Sequence, residues 1–282
     1  MEIFRDQQSL RNYIERQKEM GKKIGFAPTM GALHLGHISL YEAAEKENDL
    51  VISSIFVNPT QFNNPTDLEK YPRNIEKDIE ILKDCGFVDA VYIPQVSDIY
   101  PEGLSSQQYD FDGLENEMEG KFRPGHFDGV GTVVEKLFRQ VKPDNAYFGE
   151  KDYQQLAIIK KLVEKQNLPV HIHGVPIYRE KNGLAMSSRN ERLSPQQREP
   201  AKLIHQTLVK VNDWFRIITI PEIYKRVQEI FEDQKEMKLE YFEIADEDTL
   251  KETDFFYQDK KYRAFIVVFV GDVRLIDNMH LT

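Results

Sequence analysis

The sequence predicts a doubly wound parallel α/β sheet followed by a smaller α+β domain, on two observations. From residue 24 to residue 175, short apolar runs alternate with amphipathic stretches of helical period, as crossover helices between parallel strands require. After Pro176 the order becomes two helical segments and then two strand-like runs.

Leu10, Tyr13 and Ile14 recur at helical spacing ahead of Gly21. Strands are expected at 24–27, 50–57, 89–93, 145–148 and 170–175, and helices at 75–82, 132–141 and 153–166. In such a Rossmann-like sheet a strand end stands beside the ligand site, which marks the segments after 27 and 148. The boundary is expected near Ile177, giving a domain of residues 1–176 and a smaller C-terminal lid domain of 177–282. In the latter, helices at 195–212 and 221–235 precede strands at 239–244 and 263–270. The glycine-rich stretch 120–131 is expected to be a site loop.

The 282 residues carry a net charge of -10, which opposes a nucleic-acid partner, because such binding rests on many Lys and Arg contacts to phosphate. A single cysteine, Cys85, cannot form an internal disulfide and reads as a small core residue. The first residues lack an apolar stretch of signal-peptide length, and the run 264–270 is too short for a bilayer. A cytoplasmic protein without a membrane partner is the expectation.

The strongest local pattern is Pro28-Thr29-Met30-Gly31-Ala32-Leu33-His34-Leu35-Gly36-His37, directly after the first run of the alternation. Strand, glycine turn and helix start together build an anion site from backbone N–H groups and the helix dipole. Gly31 and Gly36 have P-loop spacing, but His37 and Ile38 stand where Lys and Ser/Thr are needed, which excludes a P-loop. His34 and His37, three apart, share a helical face and can donate to one polyphosphate. They can equally be a capping or core pair, or two zinc ligands, although no third-ligand motif accompanies them. Met186-Ser187-Ser188-Arg189-Asn190 offers two hydroxyls and a guanidinium, suited to β- and γ-phosphates or, alternatively, to capping a helix.

The first segment resembles the His-Ile-Gly-His signature of nucleotidylyl transferases and class I aminoacyl-tRNA synthetases, and the second resembles that superfamily's hydroxyl-and-cation loop. A fuller resemblance, to the pantothenate synthetase family, covers most of the chain. It rests on 28–37, Ser54 to Phe62, Tyr71-Pro72-Arg73, Arg123 to Phe127, Phe148 to Gln155, 186–190 and Arg274-Leu275-Ile276-Asp277-Asn278. Asn182 stands where that family often has Asp, and 202–261 matches only loosely.

The resemblance implies a ligase that condenses pantoate with β-alanine, using ATP and Mg²⁺, through a pantoyl adenylate, in a homodimer. It implies ATP contacts from Met30, Gly31, Ala32, Leu33, His34, Leu35, Gly36, His37, Gly149, Glu150, Lys151, Asp152, Tyr178, Met186, Ser187, Ser188 and Arg189. His34, His37, Lys151, Ser187, Ser188 and Arg189 are the implied catalytic set, with Lys151 against the α-phosphate. Pantoate falls to Gln61, Gln155, Asn58 and Pro28, and β-alanine to Gln61, because an amide matches hydroxyls and a carboxylate without adding negative charge. No residue is assigned as a metal ligand. Arg123 and His126 are marginal candidates for ligand contact. Two other readings compete: a transferase making a dinucleotide or a nucleotide-linked lipid precursor, and a tRNA-binding fragment without chemistry, which the net charge opposes.

Overall fold

The computed structural model describes residues 1–63 and 65–282, with the backbone alone at Asp67. The chain divides into two compact units, one of Met1–Glu150 with Gln154–Pro176, the other of Lys151–Tyr153 with Ile177–Thr282.

In the first unit β1 (Glu2–Phe4), α1 (Gln7–Glu19), β2 (Ile24–Thr29), α2 (Leu35–Glu45), β3 (Leu50–Ile55), α3 (Pro65–Lys70), α4 (Ile75–Cys85), β4 (Ala90–Tyr92), α5 (Val96–Ile99), α6 (Met118–Phe122), α7 (His126–Val141), β5 (Asn145–Gly149), α8 (Tyr153–Lys165) and β6 (His171–Val175) follow in order. The strands form one sheet in the order β1-β4-β3-β2-β5-β6, every neighbouring pair parallel. The chain winds outward from β2 to β3 and β4, then crosses back to β5 and β6. The switch point therefore lies between β2 and β5, and the turns after those strands are the ones placed for ligand binding. Strand β3 is buried along its whole length, as expected of a parallel strand covered on both faces. Leu40, Tyr41 and Ala44 of α2 pack with Val51, Ile55, Leu82 and Val91 beneath the motif loop.

The stretch 120–131 is not a loop. It holds the end of α6, a turn at Gly125 with φ 75°, and the first turns of α7, which begins six residues before the expected helix start at 132. The glycines mark close packing: a Cβ at Gly129 would lie 2.6 Å from the carbonyl oxygen of Thr60, so α7 presses against the turn after β3. Cys85 is half-buried, packed on the core under α2 with its Sγ 3.2 Å from the Leu82 carbonyl.

The second unit carries α9 (Pro195–Arg198), α10 (Leu203–Trp214), α11 (Ile220–Glu232), β7 (Met237–Asp246), β8 (Tyr262–Val270) and β9 (Val273–Leu281), the strands forming an antiparallel meander. Thr219 caps α11 through the Glu222 N–H, and Ile220, Ile223, Val227 and Phe231 make its buried stripe. These residues pack with Ile204, Leu208 and Val211 of α10 and with Ile244, Ile266 and Val268 of the sheet. The single helix expected over 195–212 is broken: α9 ends at Arg198 and a 3₁₀ turn spans Pro200–Lys202, because proline removes an N–H and crowds the preceding turn. Strand β9 was not expected. It carries Arg274, Asp277 and Asn278, whose polarity hides its period of two.

Among the described residues no helix is long and apolar enough to cross a membrane.

Candidate active site

Strand β2 ends at Thr29, whose hydroxyl donates to the Ser54 carbonyl at 2.8 Å and accepts from the Gly31 N–H at 3.2 Å. Gly31 (φ 81°) and Ala32 (φ 50°) then turn the chain through successive left-handed conformations. The N–H groups of Ala32 and Leu33 converge on Asp78 of α4, at 3.0 and 2.8 Å from its two carboxylate oxygens. Asp78 is only 2 % exposed, and a Cβ at Gly31 would lie 2.8 Å from it. The backbone N–H groups of Ala32 and Leu33 thus hold the protein's own carboxylate, while the Gly31 N–H is taken by Thr29. Asp78 was missed in sequence. Its signal was a charge on the apolar stripe Ile75, Asp78, Ile79, Leu82 of α4.

His34 is the N-cap of α2 rather than a helical residue, and His37 lies in the first turn. The Gly36 N–H donates to His34 Nδ1 at 3.1 Å, and the His34 N–H donates to His37 Nδ1 at 3.2 Å. The two form a reciprocal capping box with ring centroids 4.0 Å apart. Since each Nδ1 accepts, each neutral ring carries its proton on Nε2. Capping and phosphate binding are therefore compatible, as they use different nitrogens.

Gln61 lies in the 3₁₀ turn Pro59–Gln61 after β3, 9 % exposed. Its Nε2 donates to the sulfur of Met30 at 3.1 Å, which brings the Gln61 amide against the motif loop. Asn58 does not present its amide. At 1 % exposure it donates to Gln61 Oε1 (3.2 Å) and the Gly129 carbonyl (3.1 Å), and it accepts from the hydroxyls of Thr60 (3.1 Å) and Tyr100 (2.7 Å). Asn58 thus holds Gln61 through the amide oxygen of that side chain. Burial raises the Tyr100 pKa, keeping that phenol a neutral donor. Arg123 and His126 are likewise turned to Gln61. An Arg123 guanidinium nitrogen donates to the Gln61 carbonyl at 3.2 Å, and His126 Nδ1 donates to the same oxygen at 2.8 Å. Neither was legible beyond its motif.

Pro28 is half-buried near the end of β2. Gln155 is half-buried on α8 beside the buried Gln154, whose amide binds the carbonyls of Leu114 and Glu117 and the Glu119 N–H. Gly149 closes β5, and Glu150–Asp152 form a 3₁₀ turn.

In the second unit, the Lys151 side chain is 17 % exposed with its ammonium 3.8 Å from Asp152. The Arg263 guanidinium lies 3.9 Å over the ring of Tyr153. Tyr178 is 41 % exposed, and its carbonyl accepts the Met186 N–H at 2.9 Å, so these two expected nucleotide contacts are adjacent. The segment Ser188–Arg192 is a 3₁₀ turn rather than an open loop, and Ser187 caps it by accepting the Arg189 N–H at 3.2 Å. Ser188 and Asn190 are buried, and Asn190 donates to Glu180 and to the Ala185 carbonyl. Asn182 accepts the Leu184 N–H at 3.1 Å, a turn role that an Asp carboxylate fills equally well.

Residues 2–280 match the model of the pantoate–beta-alanine ligase family. A pantothenate synthetase of Christiangramia forsetii is 52% identical over 281 residues, covering 100% of this chain and 99% of that one. The chain belongs to the pantoate–beta-alanine ligase family. The fold agrees: the pantothenate synthetase of Thermus thermophilus superposes with a TM-score of 0.90 at 38% identity, covering 99% of both chains. The pantoate–beta-alanine ligase of Francisella tularensis, solved in complex with beta-gamma ATP and beta-alanine, superposes at 0.82 with 39% identity, covering 99% of this chain and 97% of that one. Membership in this ligase family sets aside both competing readings, the dinucleotide- or lipid-precursor transferase and the tRNA-binding fragment.

Proposed function

We propose that this chain condenses pantoate with β-alanine through an enzyme-bound pantoyl adenylate, consuming ATP and releasing pyrophosphate and then AMP. A carboxylate does not accept an amine at neutral pH, and the mixed anhydride with AMP supplies the leaving group.

The observation that carries this reading is the capping box of His34 and His37. It fixes two Nε2–H donors side by side on a loop that touches Gln61 through Met30. Such preorganised donors stabilise charge on a triphosphate as it develops. Lys151 serves the α-phosphate as a compact cation. Ser187, Ser188 and Arg189 serve the departing pyrophosphate, Asp152 the ribose, and Gln61 and Gln155 the pantoate hydroxyls and carboxylate. Mg²⁺ enters as part of the Mg·ATP substrate. Mg²⁺ characteristically binds through phosphates and water with few protein ligands. A cytoplasmic homodimer belongs to the same reading, and light scattering that shows only monomer would contradict the dimer.

Isotope exchange between pyrophosphate and ATP tests the reaction. Pantoate is expected to stimulate it; if pantoate fails while another acid succeeds, the substrate assignment is wrong.

A further inference from the structure

Two consecutive polar residues of β9, Asp277 and Asn278, are 3 % and 2 % exposed, and none of the roles above uses them. Successive strand residues face opposite sides of a sheet, so the pair serves two different segments. Asp277 receives the Arg179 guanidinium in a fork, at 2.7 and 3.1 Å, and its Oδ1 also accepts the Asn278 N–H at 2.8 Å. Arg179 in turn donates to the Gly183 carbonyl at 3.0 Å, closing the short hairpin bridged at Arg179 and Ala185 that leads into Met186–Arg189. Asn278 reaches the other way. Its Nδ2 donates to the Lys151 carbonyl at 2.8 Å, while its Oδ1 accepts from Arg263, whose guanidinium lies over Tyr153. The Lys151 carbonyl and the Tyr153 ring are thereby both engaged through Asn278 and Arg263.

We propose that Asn278, oriented by Asp277 and Arg179, is a positioning residue that sets where the Lys151 ammonium is delivered during adenylate formation. The proposal rests on the ligase reading above. An amide suits this position because one side chain must donate to a carbonyl and accept from a guanidinium, and neither a carboxylate nor an aliphatic group does both. A part-buried carbonyl that loses its donor is no longer pinned, and a displacement near 1 Å at a reacting group is enough to slow the step strongly.

Asn278→Asp keeps the acceptor toward Arg263 and loses the donor to Lys151. The expected result is a roughly ten- to hundredfold loss in pantoate-dependent pyrophosphate exchange. Reaction of synthetic pantoyl adenylate with β-alanine should stay near the wild-type rate. In a Lys151→Ala background the same substitution should cost little more, because both changes remove one contribution. Equal losses in the two half-reactions, additive losses with Lys151→Ala, or no loss at all would overturn the proposal. Should Asn278→Asp fail to fold, Asn278→Ala and Arg179→Lys are measured in the same way, with thermal melts alongside. Failure of all three to fold also overturns it, because Asn278 then serves folding alone. Wild-type protein that shows no pantoate-dependent exchange would instead bring down the ligase reading itself.

Discussion

In the first unit, the buried carboxylate Asp78 fills the backbone donors of the loop between β2 and α2; in the second, the buried carboxylate Asp277 takes a guanidinium and leaves its neighbour Asn278 to hold a backbone carbonyl. The two loops are stiffened by groups from distant parts of the chain, but in opposite senses. In the first loop the backbone N–H groups of Ala32 and Leu33 are filled, and the imidazoles of His34 and His37 cap the helix that follows. Holding a carbonyl leaves the Lys151 cation to extend from an anchored backbone. An imidazole pair fixed by its own cap and an ammonium carried on a pinned backbone are two different ways of presenting a polar group.

The sharpest way to break this comparison is at His34. His34→Asn retains a side chain able to cap α2, while His34→Ala loses the cap, worth about 1 kcal/mol. Both lose the Nε2 donor, so both should depress pyrophosphate exchange roughly 10²-fold. Only the alanine variant should melt measurably earlier. Near-normal exchange in the asparagine variant would reduce the imidazole to a cap.

Asp78→Asn comes next. It removes the charge and one of two acceptors, so one of the Ala32 and Leu33 N–H groups loses its partner, and unfolding in urea should show a loss of about 2 kcal/mol. Exchange should fall less than for His34→Asn, since the imidazoles remain. A larger loss of activity than in the histidine variants would mean that the loop backbone matters more than its side chains.

The smallest effect concerns His205, whose Nδ1 is buried without a hydrogen-bond partner and whose ring packs on Gly183 of the hairpin. Burial holds its pKa below the ordinary 6.5, the Arg179 guanidinium lowers it further, and Asp277 partly opposes. Below about pH 6.5 the unfolded chain takes up a proton that the folded chain refuses, so stability falls on acidification until the folded pKa is reached. His205→Gln should flatten that slope in melts between pH 7 and pH 5. An unchanged slope would show that the ring titrates normally in place.

The parallel sheet, its crossover helices and the turns after 27 and 148 were legible, because apolar period and glycine punctuation are local signals. The side chains of Gln61, Lys151 and Ser187 came from motif blocks. What was not legible depends on partners far apart in sequence. Nothing near Ala32 announces Asp78, although a charge within an apolar helical stripe was a hint, and nothing near Lys151 announces Asn278. The capping box at His34 and His37 was among the open readings, but the division of labour between Nδ1 and Nε2 needed geometry. Glycines at 129 and 131 misled, since tight helix packing and loop flexibility leave the same letter in the sequence.

The turn at Gln61 is gripped by its main chain, with His126 and Arg123 both on the carbonyl, while the side-chain amide makes its own separate contacts with Met30 and Asn58. Position 61 is therefore held twice over, by its main chain from Arg123 and His126 and by its side chain from the turn and the motif loop. Under the proposed pantoate role of Gln61, a change of preferred hydroxy acid would begin with that one side chain, with the histidine and arginine behind it left untouched.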